Sequence, residues 1–123
     1  MWPLSSDVSA HEKMYGPQPK GFWSSREAPN CGASHQFLFA GRRYRVIVEF
    51  YDHDRHVHPA GEEWLFLGYS FLPYDDGMSF FVSFDGEQEW HIPMQWREEE
   101  QGPILDSLGS YVAEVSSPQA RAL

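Results

Sequence analysis

Glu63-Trp64-Leu65-Phe66-Leu67-Gly68-Tyr69-Ser70-Phe71-Leu72 is the stretch on which the fold turns. It is apolar on both faces, as a strand covered on both sides must be. Gly68 interrupts it and points to a bulge or a sharp bend. Downstream, Pro73-Tyr74-Asp75-Asp76-Gly77 ends in Asp-Gly, a strong hairpin-turn signal. Residues 78–84 then form a second strand, and Asp85-Gly86 opens another turn. A third strand alternates cleanly, with Trp90, Ile92, Met94 and Trp96 on one side and His91, Pro93, Gln95 and Arg97 on the other. Pro93 cannot donate to a ladder, so this strand is expected to be an edge or to carry a bulge.

Upstream, residues 44–51 alternate as well. Tyr44, Val46, Val48 and Phe50 share one face, and Gly41 before them suits a turn. Beyond the third strand, Glu98-Glu99-Glu100-Gln101-Gly102 breaks the pattern. A short helix is expected to start near Pro103, with Ile104, Leu105, Leu108, Tyr111 and Val112 on one face. The fold class is therefore mainly β: a small SH3-like antiparallel barrel or a curled open sheet, with one short C-terminal helix.

The chain has 123 residues, enough for one domain. Residues 1–35 carry Pro3, Pro17, Pro19, Pro29, Gly16, Gly21 and Gly32 without apolar periodicity, and read as a poorly ordered extension. Trp2, Phe22 and Trp23 are the exceptions and are candidates for a strap across the core. Residues 36–115 read as the β-rich domain and residues 116–123 as a loose tail.

Cys31 is the single cysteine, so no intrachain disulfide can form, which fits a reducing, cytoplasmic setting. The N-terminal residues show no basic-then-apolar signal pattern, and no apolar run reaches the roughly 20 residues of a membrane helix. Net charge is −9, and it is unevenly spread. Residues 46–115 hold fifteen acids against Arg55 and Arg97 alone, whereas residues 1–45 hold six bases and three acids. A negative field of this kind argues against nucleic acid as a ligand, because phosphates need clustered Lys and Arg. It favours a basic protein partner, although acidity also serves solubility alone.

Several motifs stand out: Gly41-x-x-Tyr44-x-Val46, Phe50-x-Asp52-x-Asp54 and His58-Pro59-x-Gly61-Glu62-x-Trp64-x-Phe66-Leu67-Gly68, followed by Phe71-Leu72-Pro73-Tyr74-Asp75-Asp76-Gly77 and Gln95-Trp96-Arg97-x-Glu99-x-Gln101. Together, from Gly41 to Tyr111, they resemble a small bacterial family known only as a domain of unknown function. The resemblance implies a domain over that span. It brings no activity, cofactor or functional residue with it.

Four groups of side chains invite a chemical reading. Asp52, His53, Asp54, His56 and His58, with Glu62 and Glu63 nearby, offer donors that suit zinc. In an extended loop Asp52, Asp54, His56 and His58 would project to one side, but the spacing fits no standard zinc signature, and a polar loop with locally paired histidines is the plainer reading. Asp75 and Asp76 with Glu62 and Glu63 could in principle serve acid–base chemistry, yet Asp in a hairpin turn has a backbone reason to be there. Glu98, Glu99 and Glu100 form either a solvated run or a contact patch. Cys31 lacks an ordered basic neighbour that would make it a nucleophile. Trp64, Trp90 and Trp96 read as core, and Tyr69 or Tyr74 as packing residues or the wall of a peptide groove.

No nucleophile elbow, phosphate loop or dinucleotide fingerprint occurs. The expectation is a non-enzymatic, cofactor-free, acidic module that binds a basic protein, in its sharpest form an immunity protein that neutralises a toxin. Asp52, Asp54, Glu62, Asp75, Asp76, Glu98, Glu99 and Glu100 would carry the contact. A metal protein using His53, His56 and His58 is the second reading. A peptide-recognition or self-assembling domain, using an edge strand at Pro93, is the third.

Overall fold

Strand β8 (Glu63–Leu72) is the axis of the molecule, and both of its sides are used. The structure is a computed structural model that describes residues 15–25, 30–72 and 76–115. Along one side β8 pairs antiparallel with β9 (Gly77–Ser83). Its other side is divided between β5 (Arg43–Val46), which takes Glu63 to Leu65, and β2 (Cys31–Gly32), which takes Tyr69 and Ser70. The sheet grows outward from β9 to β10 (Gln88–Gln95) and β1 (Tyr15–Pro19), and from β5 to β11 (Val112–Glu114). Every pairing is antiparallel, and the sheet stays open, with β1 and β11 as its outer strands. Of the two expected forms, the chain takes the open sheet and not the closed barrel.

The expected bulge lies between Phe66 and Gly68, where the β8–β9 register slips by one residue. A side chain period of two would otherwise carry Tyr69 and Phe71 to the far face. The slip returns them to the core face, so that Phe66, Tyr69 and Phe71 stand opposite Val82, Phe80 and Met78. Gly68 also admits a close approach, since a Cβ there would sit 3.0 Å from the Gly32 carbonyl.

Tyr44, Val46, Trp64, Phe66, Phe80, Val82, Ile92 and Met94 form the core. Burial of each large apolar side chain contributes about 1.5–3 kcal/mol. The Tyr44 hydroxyl is satisfied there: it donates to the Phe37 carbonyl and accepts from the Phe39 N–H. It thereby ties down a small hairpin of β3 (Ser34–His35) and β4 (Leu38–Phe39). Helix α1 (Gly102–Asp106) and a 3-10 turn (Leu108–Ser110) send Leu105 and Leu108 into the same core. Among the described residues no helix is long and apolar enough to cross a membrane.

Four sequence expectations need correction. The strand read over residues 44–51 breaks after Val46, because Ile47 donates its N–H to the Tyr111 carbonyl instead. Val48 is consequently exposed, and Phe50 belongs to a separate hairpin of β6 (Phe50–Tyr51) and β7 (Val57–His58). The helix stops at Asp106, and Val112 joins β5 rather than extending a helical face. Trp96 is only partly buried. Finally, the main sheet does not begin at residue 36, since its strands β1 and β2, like β3 of the small hairpin, lie in the stretch read as an extension. The tail at residues 116–123 lies outside the described residues.

What holds the early segment is Glu89 on β10. Its buried carboxylate accepts from the N–H groups of Gly21, Trp23 and Ser24 and from the Ser24 hydroxyl, at 2.6–3.0 Å. Trp23 then stacks on Phe81 at 6.1 Å and tilts against His91, covering the sheet face away from the main core. Trp23 is thus a strap on the outer face and not across the core as expected, while Phe22 is exposed and Trp2 lies outside the described residues.

Candidate functional site

The hairpin β6–β7 brings Asp52 and His58 inside the protein. Phe50 pairs with His58 across the two strands and stacks on its imidazole at 5.0 Å. Asp52 Oδ2 lies 2.9 Å from His58 Nε2, and Glu62 Oε2 lies 2.6 Å from His58 Nδ1. A carboxylate on each ring nitrogen requires an N–H at both, so the ring is an imidazolium. Burial by itself pulls the His58 pKa down, but the hydrogen bonds and negative charges of Asp52 and Glu62 prevail and lift it to about 9. The second oxygen of Asp52 accepts from the N–H groups of Asp54 and His56, which closes the hairpin tip.

This arrangement decides several of the sequence-derived candidates. Asp52 is fully buried and Glu62 is turned onto His58, so neither is available to a partner. The loop is a tight tip rather than an extended run, and His53 turns away from His56 and His58, which both lie against Asp52. His53 faces Glu100, His56 lies near Asp52, and His58 is sealed with no lone pair left for a metal. Among the described residues no three His, Cys, Asp or Glu side chains come together as a metal ion would need. Cys31 is half-buried in β2.

The remaining acids converge on one end of the sheet. The N–H of His53 reaches the Pro93 carbonyl at 2.8 Å and ties the hairpin tip to β10 beyond the β1 pairing, which is described as far as His91. Arg55 lies 3.5 Å from Glu100. The N–H of Trp96 donates to the Asp76 carbonyl, and Arg97 Nε lies 3.2 Å from the Asp76 carboxylate. Three loops thus meet, and Asp54, Asp76, Glu98, Glu99 and Glu100 share that end. Asp75 and Tyr74 lie outside the described residues.

The loop that carries Glu98 and Glu99 is held rigidly. Buried Gln101 accepts the Gln95 N–H through its side chain at 2.9 Å and donates its own N–H back to the Gln95 carbonyl. The Arg97 carbonyl accepts from both Glu100 and Gly102. Glu98 and Glu99 are left exposed at the turn. Beside them opens a cleft of about 430 Å³ lined by Trp96, Arg97, Glu98, Gly102, Pro103 and Asp106. Trp96 donates its indole N–H to Asp106 Oδ1 at 2.9 Å. The sequence reading missed Asp106 and assigned Trp96 to the core. The available signal was an indole at the end of a strand, ten residues before an acid on a short helix.

A family model described as Domain of unknown function (DUF3601) matches residues 29–116. The chain belongs to this family. The DUF3601 region contains the Asp52–His58–Glu62 cluster, the acidic end, the cleft and Glu89, whereas β1 and the Trp23 segment precede it. Among solved structures, the DUF3601 chain is similar to an integron cassette protein from the mobile metagenome of Vibrio cholerae, at 32% identity and a TM-score of 0.65. That match covers 68% of this chain and 91% of the other. No curated protein matches.

Proposed function

We propose that this DUF3601 protein is a non-catalytic binding module that engages a basic protein partner through the acid-lined end of its sheet. One observation carries the reading. Acids far apart in the chain, at positions 54, 76, 98, 99 and 100, are gathered on one end by backbone and side-chain bonds, beside an indole-lined cleft. Charges kept only for solubility have no reason to converge. Complementary charge speeds encounter and selects the partner, and an aromatic in a desolvated spot supplies an anchor. In its sharpest form the partner is a basic toxin and the module its immunity protein. Asp54, Asp76, Glu98, Glu99 and Glu100 carry the contact, and Asp52 and Glu62 hold the scaffold.

The test is capture from the native lysate at low salt, comparing the native protein with the Glu98→Ser, Glu99→Ser double variant. These side chains are exposed, so the variant keeps its fold. A single stoichiometric basic protein, retained by the native chain, released by salt and lost with the variant, supports the reading. Capture that the double variant leaves unchanged, or no capture by the native chain, counts against it.

A further inference from the structure

We propose that the cleft between Trp96 and α1 seats one arginine side chain of the basic partner, with its guanidinium against the indole and between the carboxylates of Glu98 and Asp106. The proposal rests on the binding reading above and names the chemistry of its central contact. At about 430 Å³ the cleft falls within the roughly 300–1,000 Å³ range of ligand pockets. Its lining combines an aromatic ring, a proline and two carboxylates.

The geometry of the wall is fixed from behind. Phe71 and His35 pack perpendicular to the Trp96 ring, at 6.1 and 6.0 Å between centroids. Asp106 holds the edge of the indole through its N–H. Glu98 and Asp106 are both exposed where they line the cleft, so a cation entering it meets two hydrated carboxylates beside the indole. Arg97 also lines the cleft, but its charge is paired with Asp76, so Glu98 and Asp106 set the sign of the field. Arginine suits the site better than lysine, because a planar guanidinium stacks on the ring while its N–H groups fan out to two carboxylates.

The test uses the full ¹⁵N-labelled chain and the Trp96 indole N–H resonance, identified by its loss in Trp96→Phe. The probe is acetyl-Gly-Arg-Gly-amide, and its citrulline counterpart, which has the same shape without the charge, is the control. The expected result is a saturable shift of that resonance at millimolar concentrations, with no such shift from the citrulline peptide. Glu98→Gln with Asp106→Asn keeps the shapes and the indole hydrogen bond, and weakens binding by about fivefold or more. Glu98→Gln alone, at an exposed turn position, repeats the trend if the second change disturbs α1. The proposal is overturned by no saturable shift up to about ten millimolar, by equal shifts from both peptides, or by unaltered affinity in the double variant. Lysate capture separates the two readings. A basic partner held equally well by the native chain and by the Glu98→Gln, Asp106→Asn variant overturns the arginine seat and leaves the binding module standing. Peptide binding with no partner captured supports the seat and removes the module's proposed role.

Discussion

His58 Nε2 and Asp52 Oδ2 lie 2.9 Å apart, and neither side chain meets solvent. Such a pair is costly to bury and costlier to break, because removing one charge strands the other. Asp52→Asn should therefore destabilise the protein by about 3–5 kcal/mol, a large share of the roughly 5–15 kcal/mol of a domain. Urea unfolding reads this as a lower midpoint at an unchanged slope. A loss below about 1 kcal/mol would show that the cluster relaxes easily and contributes little.

The same cluster sets a pH dependence. The His58 pKa is raised to about 9 in the fold, above its usual 6.5, by Asp52 and Glu62 against the opposing effect of burial. The folded state then holds a proton that the unfolded chain releases. This contribution is complete below about pH 6.5 and fades as pH rises through about 9. It amounts to about 3 kcal/mol. His56, 3.7 Å from Asp52 Oδ1, is the other titratable group facing the pair. Unfolding free energies from about pH 6 to about pH 10, for the native chain and His58→Gln, isolate the effect. The native curve should fall more steeply, and parallel curves would refute the assignment.

Glu89 gives a local prediction. Glu89→Gln leaves one oxygen where two accepted four donors, and turns an NH2 toward backbone N–H groups. Hydrogen bonds to a charged group are worth about 1.5–3 kcal/mol each, so the turn should open. Hydrogen exchange at Gly21, Trp23 and Ser24 should speed up sharply while amides of β8 and β9 stay protected. Equal acceleration in both places would mean that the turn and the sheet unfold as one unit.

Much of the meander was legible because its signals are local. The two-faced apolar run of β8, its Gly68 and the Asp85-Gly86 turn each fix their own conformation within a few residues. What escaped depended on distant partners. The Val46 break requires the Tyr111 carbonyl, and β1 requires Glu89, roughly seventy residues on. Counting acids could not separate Asp52 and Glu62, which face inward, from Glu98 and Glu99, which do not. A signal was nonetheless present: between Asp52 and Glu62 three histidines are interspersed with acids in a short hairpin preceded by Phe50, an arrangement that suits mutual neutralisation better than a shared surface. Glu89 had a signal too, because Phe81, between Ser79 and Ser83, places one large ring on the outer face of β9 that needed a cover.

Two glycines provide a paired test of the cleft's floor. A Cβ at Gly102 would stand 2.6 Å from the Arg97 carbonyl oxygen, which is backbone and cannot step aside. Gly102→Ala should cost about 1–3 kcal/mol and displace the turn that carries Glu98 and Glu99. At Gly109 the nearest atom is 3.9 Å away, on the Phe37 ring. Gly109→Ala should be neutral or stabilise by up to about 1 kcal/mol. Thermal unfolding of the two variants should move in different directions, and similar shifts would contradict the close packing at Gly102.

Glu89 lies inside the matched region at residues 29–116, while every donor to it lies before that region. A recombinant chain begun at the family boundary would therefore differ from the natural one by more than length. It would carry a stranded carboxylate and a bare aromatic face at Phe81 and His91, a sticky surface of its own making. Where the first codon is placed decides whether such a preparation reports the protein's own partner or an adhesive wound.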